Sequence, residues 1–306
     1  MSQKVRKFCI TSHYMCNNAL MIDWQDLHYF AVLARTGSLS AAARELGVDH
    51  ATVGRRVAAL ENMLDLRLIH RLPRSTSLTN DGLAISALAQ GMEQSVHDID
   101  RVARRLSKST VATVRISAPP AVAVKLIAPH VAAFHDANPE IMLVLSGTAQ
   151  NAALDRGEAD IAIRMAKPEA AELLIRRIGA MHFGLYATTV VASGPEQGLK
   201  FIAYDAALDH LDQQVWLRAI LAGRSIVFQA SDLFGQLEAA RAGLGAAVLP
   251  RFMGDSDPML VELKTSVPPP VRDLWLTTYS DLRKVPAIRL VMTFLADIIG
   301  KACPMR

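Results

Sequence analysis

The side chains best suited to chemistry stand in one short run: His50, Ala51, Thr52, Gly54, Arg55 and Arg56. Their chemistry is recognition rather than catalysis. Histidine and threonine hydrogen-bond base edges, and arginine reaches guanine or phosphate through its fork of N–H groups. Further on, Arg71 and Arg74 stand around Pro73. Cations in such a turn add phosphate affinity and salt dependence, or enter a minor groove. Taken alone, Arg55 and Arg56 are as readily a solvated helix face as a DNA contact. No P-loop, GxGxxG after a strand, GxSxG or HExxH is present. His130 and His135 are five apart, a poor helical spacing for one metal, and read as solvated or packing histidines. The sequence therefore proposes no catalytic residue, no metal and no cofactor.

The elements that position the run are helices. Leu27, Phe30, Ala31 and Ala34 recur at helical spacing over 23–35, and Gly37 ends that helix. Ser38 or Ser40 can cap a second helix over 40–46, in which Ala42 and Ala43 are small enough for a close helix crossing. Gly47 turns the chain and Val48 packs beneath the turn. A third helix from Asp49 to Leu64 has the apolar stripe Val53, Val57, Leu60 and Leu64, which leaves the recognition run on its outer face. Helix, glycine turn, helix is a helix-turn-helix pattern. Two short strands near 67–69 and 77–79 around the Pro73 turn form a hairpin wing.

Thr79 or Asn80 then caps a helix over 81–108. Ile85, Met92, Ile99 and Leu106 repeat every seven residues, Leu88 and Val102 fill intervening positions, and Ser95 interrupts them. The pattern fits a dimerising coiled coil, with an amphipathic helix packed on its own domain as the alternative. The two-fold symmetry of a DNA reader favours the dimer.

Bulk properties agree. Hydrophobic residues make up 51% of the 306-residue chain, enough for proper cores. The formal charge is +4, and Lys4, Arg6 and Lys7 account for most of it, so any basic surface is local. Cys9, Cys16 and Cys303 show no metal spacing and read as unpaired thiols in a reducing cytoplasm. No apolar run reaches the ~20 residues of a membrane span. The polar residues from His13 to Asn18 spoil a signal-peptide core, so residues 1–20 read as a disordered extension or a misassigned start.

Residues 21–82 resemble the DNA-binding region of LysR-type transcriptional regulators. The match runs through Phe30, Gly37-Ser38-Leu39-Ser40, Ala42-Ala43, Leu46, Val53-x-Arg55-Arg56-Val57, Leu60-Glu61, Leu64, Leu68, Arg71 and Leu78-Thr79-x-x-Gly82. Ile116–Pro129, Asn138-Pro139, Gly157–Arg164 and Ala242–Pro250 resemble the same family's effector-binding domain, so the likeness covers about 21–300. It implies a DNA contact set of Ser38, Ser40, Asp49, His50, Ala51, Thr52, Gly54, Arg55, Arg56, Arg71 and Arg74. Gly54 replaces a usual Ser or Thr. It costs ~1 kcal/mol of helix propensity against Ala, but lets the backbone approach DNA closely. Asp65 stands where glycine is common, and Ile69 where Phe is.

Beyond the linker, strands over 111–117, 141–145 and 160–164 alternate with helices over 119–135 and 149–157, which predicts a parallel α/β sheet. The helical stretch is expected to be irregular at Pro129. The chain crosses into a second lobe near 183–187. That lobe has helices near 208–222 and 232–242 and strands at 224–228 and 245–249. Residues 274–279 return to the first lobe, and a last helix spans 286–301. Two lobes joined by two crossings resemble periplasmic binding proteins, whose ligands lie between the lobes near helix N-termini. The cleft candidates are Ser117, Ala121, Thr148, Gln150, Arg164, Ser231 and Asp232. Ser231 is equally a plain N-cap, and Arg164 equally a structural ion pair. Asp160 is expected to orient loops. The junction Ala118-Pro119-Pro120-Ala121 lacks the hydroxyl common in the family, which points to a less polar effector.

The expected fold is α+β multidomain: a winged helix-turn-helix and long linker helix, then a two-lobed α/β periplasmic-binding-protein-like effector domain. The expected divisions are 1–20, 21–80, 81–110 and 111–303, with lobes about 111–183 plus 274–303 and 184–273. The expected function is a cytoplasmic transcriptional regulator, not an enzyme. Its expected partners are promoter or operator double-stranded DNA, a small-molecule effector and itself. The chain pairs through helix 81–108, and the family resemblance implies a tetramer. RNA polymerase is a further candidate partner, and no membrane is. A stand-alone solute-binding protein, or an enzyme fused to a DNA-binding module, are the alternatives; turnover of a bound effector marks the second.

Overall fold

The computed structural model describes residues 22–71, 76–106, 111–148, 159–168 and 173–305, and the chain falls into two compact units, 1–100 and 101–306. The expected extension 1–20, residues Arg74 and Gln150, the side chain of Arg71 and the helix read over 149–157 lie outside the described residues.

The first unit packs three helices, α1 (Trp24–Thr36), α2 (Leu39–Leu46) and α3 (His50–Leu64), around Phe30, Leu33, Ala42, Val53, Val57 and Leu60. Each fully buried aliphatic or aromatic side chain here contributes about 1.5–3 kcal/mol of transfer free energy. Gly37 and Gly47 stop α1 and α2 with φ of 70° and 67°, the left-handed conformation open to a residue without Cβ. Asp65 ends α3 in the same conformation, at φ 52°. Of the two serines read as caps for α2, Ser38 accepts from Ala41 N–H at 3.2 Å, while Ser40 is exposed within the first turn.

The wing strands are β1 (Ile69–Arg71) and β2 (Thr76–Leu78), antiparallel with Ile69 opposite Leu78. β1 begins two residues later than expected, because the buried carboxylate of Glu61 accepts from the Leu68 and Ile69 N–H groups and fixes the strand's entry. Thr79, not Asn80, caps α4 (Asn80–Leu106), accepting from Gly82 N–H at 2.9 Å. A Cβ on Gly82 would stand 2.0 Å from the Leu68 carbonyl, so only glycine lets α4 start against the wing. Ile85 and Ala89 pack into the first unit's core, so Ile85 is no part of an outer seam. Leu88, Met92, Val96, Ile99 and Val102 are exposed along α4.

The second unit is built on one sheet path, β4-β3-β5-β11-β6-β9-β7-β8, with β10 attached to β6. The first lobe uses β3 (Ala112–Ala118), β4 (Ile141–Gly147), β5 (Ile161–Arg164) and β11 (Val271–Tyr279). β6 (Leu173–Thr188) runs through both lobes. The second lobe adds β7 (Phe201–Tyr204), β8 (Ile226–Ala230), β9 (Ala246–Pro250) and β10 (Leu260–Leu263). The parallel sheet expected of the first lobe is correct for β3, β4 and β5, but β11 pairs antiparallel with β5 and β6. The sheet is therefore mixed, because the returning chain enters from the opposite end.

The helical stretch after β3 starts as α5 (Pro120–Val122), widens to a π turn at Ala123–Ile127, tightens to a 3₁₀ turn at Ala128–His130 and ends as α6 (Val131–Ala137). The irregularity precedes Pro129 as well as including it, since the ring needs room against the preceding turn and lacks an N–H. The second lobe carries α7 (Thr189–Ala192), α8 (Asp212–Ile220), α9 (Leu233–Arg241) and α10 (Arg251–Gly254). The last helix, α11 (Pro286–Ala302), buries Ile288, Val291, Leu295 and Ile299 at helical spacing.

Candidate functional site

The exposed face of α3 is set by its N-cap. The Asp49 carboxylate accepts from Thr52 N–H at 2.6 Å and from the Thr52 hydroxyl at 3.0 Å. Arg55 in turn donates to the Thr52 hydroxyl oxygen at 3.0 Å. The Thr52 backbone and hydroxyl bonds, with Arg55 nearby, hold the Asp49 carboxyl below the usual carboxylate range. Asp49, Thr52 and Arg55 thus form one chain on the first two turns, with His50 and Ala51 exposed beside it. A Cβ on Gly54 would meet nothing within 4 Å, so no intramolecular packing calls for glycine there.

Arg56 keeps 38% of its side chain exposed on the expected outer face and also has a partner on another helix. Its guanidinium donates to Asp26 of α1 at 3.1 Å, stands 3.7 Å from Asp23 and lies 6.0 Å from the Tyr29 ring centroid. The apolar stripe places it outside, and its pairing with α1 needed a partner on another helix. One further link was not legible in the sequence: His28 of α1 pairs with Glu93 of α4 at 2.8 Å. Its two residues are 65 positions apart and follow no local pattern.

In the second unit, Ser117 and Arg164 come together. The guanidinium donates twice to the Ser117 hydroxyl oxygen, at 3.2 Å each, and to the Ile163 carbonyl at 2.9 Å; both residues are buried. Thr148 joins the same junction through its N–H on the Ala118 carbonyl at 2.9 Å. Ala121 is buried in the cluster of Tyr186, Ile202 and Leu237, against the second lobe. Asp232 caps α9, accepting from Phe234 and Gly235 N–H at 2.8 and 2.9 Å. The cap read for Ser231 therefore falls to its neighbour, and Ser231 is exposed beside it. Asp160 ties its loop to β3 by accepting from Arg115 N–H at 2.7 Å. Cys303 is a free, buried thiol. Among the described residues, no cluster of His, Cys, Asp or Glu is placed to hold a metal, and no helix is long and apolar enough to cross a membrane.

Comparison with known proteins agrees with both units. Residues 24–83 match the family model "Bacterial regulatory helix-turn-helix protein, lysR family", and 107–299 match "LysR substrate binding domain". The chain is 29% identical over 285 residues to the Mau operon transcriptional activator of Paracoccus denitrificans, covering 92% of this chain and 98% of that protein. It is 35% identical over 152 residues to the AhcY transcriptional activator HvrB of Rhodobacter capsulatus, covering 47% and 50%. Among solved structures, the full-length virulence activator AphB of Vibrio cholerae aligns with TM-score 0.58 at 22% identity, over 91% of this chain and 100% of that one. CrgA of Neisseria meningitidis aligns with TM-score 0.54 at 23% identity, over 92% and 100%. At these identities the structures speak for the fold alone.

Proposed function

The chain belongs to the LysR family of transcriptional regulators, DNA-binding proteins under effector control, and from that membership we propose how its residues divide the work. α3 enters the major groove, where His50, Ala51, Thr52 and Arg55 face base edges and phosphates and Gly54 lets the helix backbone come close. Asp49 orients Thr52 and Arg55. Ser38 and Ser40, at the start of α2, and Arg71 and Arg74, in the wing, take phosphates. Arg56 acts through its ion pair, holding α3 on α1. The observation that carries this reading is the exposed Asp49–Thr52–Arg55 chain, backed by the fully buried stripe Val53, Val57 and Leu60.

Two chains pair through the exposed apolar row Leu88, Met92, Val96, Ile99 and Val102 of α4, which presents two α3 helices to an inverted repeat. Effector domains pair further to make a tetramer, and RNA polymerase is contacted from the DNA-bound assembly. A small molecule binds between the lobes near Ser117, Ala121, Thr148, Gln150, Arg164 and the α9 N-terminus at Ser231 and Asp232. It shifts the balance only by binding one arrangement better than the other. With Ser117 buried under Arg164, the pocket offers little free hydroxyl, in keeping with a weakly polar effector.

The test is selection of bound duplexes from a random library, followed by hydroxyl-radical footprinting. Two protected half-sites about one helical turn or a multiple apart are expected. Leu88→Glu with Ile99→Glu breaks the α4 pairing and leaves only weak protection of single half-sites. A wild-type footprint of one half-site would contradict the dimer reading.

A further inference from the structure

We propose that the second unit carries another small-molecule site, a cavity suited to an apolar monoamine and separate from the cleft between the lobes. The cavity measures about 740 Å³ and lies against β6, walled by α10, β10 and the end of α11. Its size falls in the range of ordinary small-molecule pockets. It shares no lining residue with Ser117, Ala121, Thr148 or Arg164, so it does not depend on the effector reading.

Two observations define what would fit. The first is charge. Arg251 faces two carboxylates, Asp255 and Glu262. Glu262 pairs with Arg251, while Asp255 accepts from the Tyr186 hydroxyl, whose proton is held by burial and by that carboxylate. The balance is one negative charge, which repels an anion and favours a cation. The second is the apolar wall, where Phe183 and Phe252 can face a hydrocarbon body or an ammonium. An amine satisfies both, its charge answering Asp255 and its hydrocarbon body the two rings.

The walls come from both lobes: Ala302 ends α11 and Cys303 follows it, while Arg251 and Glu262 belong to the second lobe. An occupant would therefore bridge them.

Phenethylamine, 2-phenylethanol and phenylacetate share one body and differ in charge. Calorimetric titration into the full-length protein should show phenethylamine binding at least about tenfold more tightly than the alcohol, with no heat from the acid. Ala302→Trp should fill the cavity and remove amine binding, and thermal denaturation checks that it folds. Asp255→Asn keeps an acceptor for Tyr186 and should bring the amine-to-alcohol ratio close to one, which decides the matter even if Ala302→Trp fails to fold. Absence of amine binding, equal binding of the acid, or amine binding that Asp255→Asn leaves unchanged would overturn the proposal. The last outcome would place the amine elsewhere in the protein.

Discussion

Asp26, only 5% exposed within α1, accepts a hydrogen bond from the Arg56 guanidinium of α3 at 3.1 Å. Two neighbouring arginines thus have different duties: Arg55 stands on the exposed face, while Arg56 anchors that face to the rest of the unit. Arg56→Ala leaves a buried carboxylate without its charged partner, a loss of about 1.5–3 kcal/mol for a hydrogen bond to a charged group. The outer part of Arg56 is solvated, which argues against a larger figure. Hydrogen exchange of the α1 and α3 amides should quicken about tenfold or more in this variant, and stay unchanged in Arg55→Ala.

Gly54 separates stability from function. An alanine there has open space and gains up to about 1 kcal/mol of helix propensity. Gly54→Ala is expected to slow exchange in α3 while weakening operator binding, because the added methyl stands between backbone and DNA. Slower exchange with undiminished binding would show that the glycine has no part in the interface.

Asp65 sits at φ 52°, in the left-handed region that favours glycine. Asp65→Gly relieves this at the end of α3 and is expected to stabilise the unit by up to about 1 kcal/mol, net of the greater freedom of glycine in the unfolded chain. A rise in the melting temperature of the first unit, with DNA affinity unaltered, is the outcome to measure.

Burial pushes the Cys303 thiol up to about 11. The folded protein should therefore leave Cys303 unmodified by iodoacetamide at pH 8, and unfolding in guanidinium should expose it to rapid alkylation. The thiol's folded-state value is raised, so its contribution is complete below the ordinary thiol value near 9.0 and is lost as pH rises towards about 11. Cys303→Ser should abolish that alkaline loss.

Much of this architecture can be read from residues alone. The first three helices follow from apolar residues at helical spacing, and Gly37 and Gly47 mark two of their ends. The α4 stripe and the β3, β4 and β5 strands are equally visible. What escaped is set by distant partners. β6 carries buried residues for much of its sixteen-residue length, so it lacks the alternation of a half-buried strand; only 183–187 stood out as a crossing. β7 reads Phe-Ile-Ala-Tyr, too short and too uniformly buried to betray its type. The antiparallel entry of β11 depends on where the chain returns, which no local pattern encodes. At the sites, the face of Arg55 was legible from the helix period. The pairing of Arg56 with Asp26, and of Arg164 with Ser117, needed the fold.

The most direct test of the account is fluorescence anisotropy of the full-length protein on its selected operator and on scrambled DNA, at two salt concentrations, for wild type and Arg55→Ala. The account predicts specific, salt-sensitive binding by the wild type. It predicts a loss of about 1–3 kcal/mol in Arg55→Ala that falls mainly on the operator and narrows its advantage over scrambled DNA. Full operator preference retained by Arg55→Ala would contradict the assignment of α3's exposed face as the reading surface.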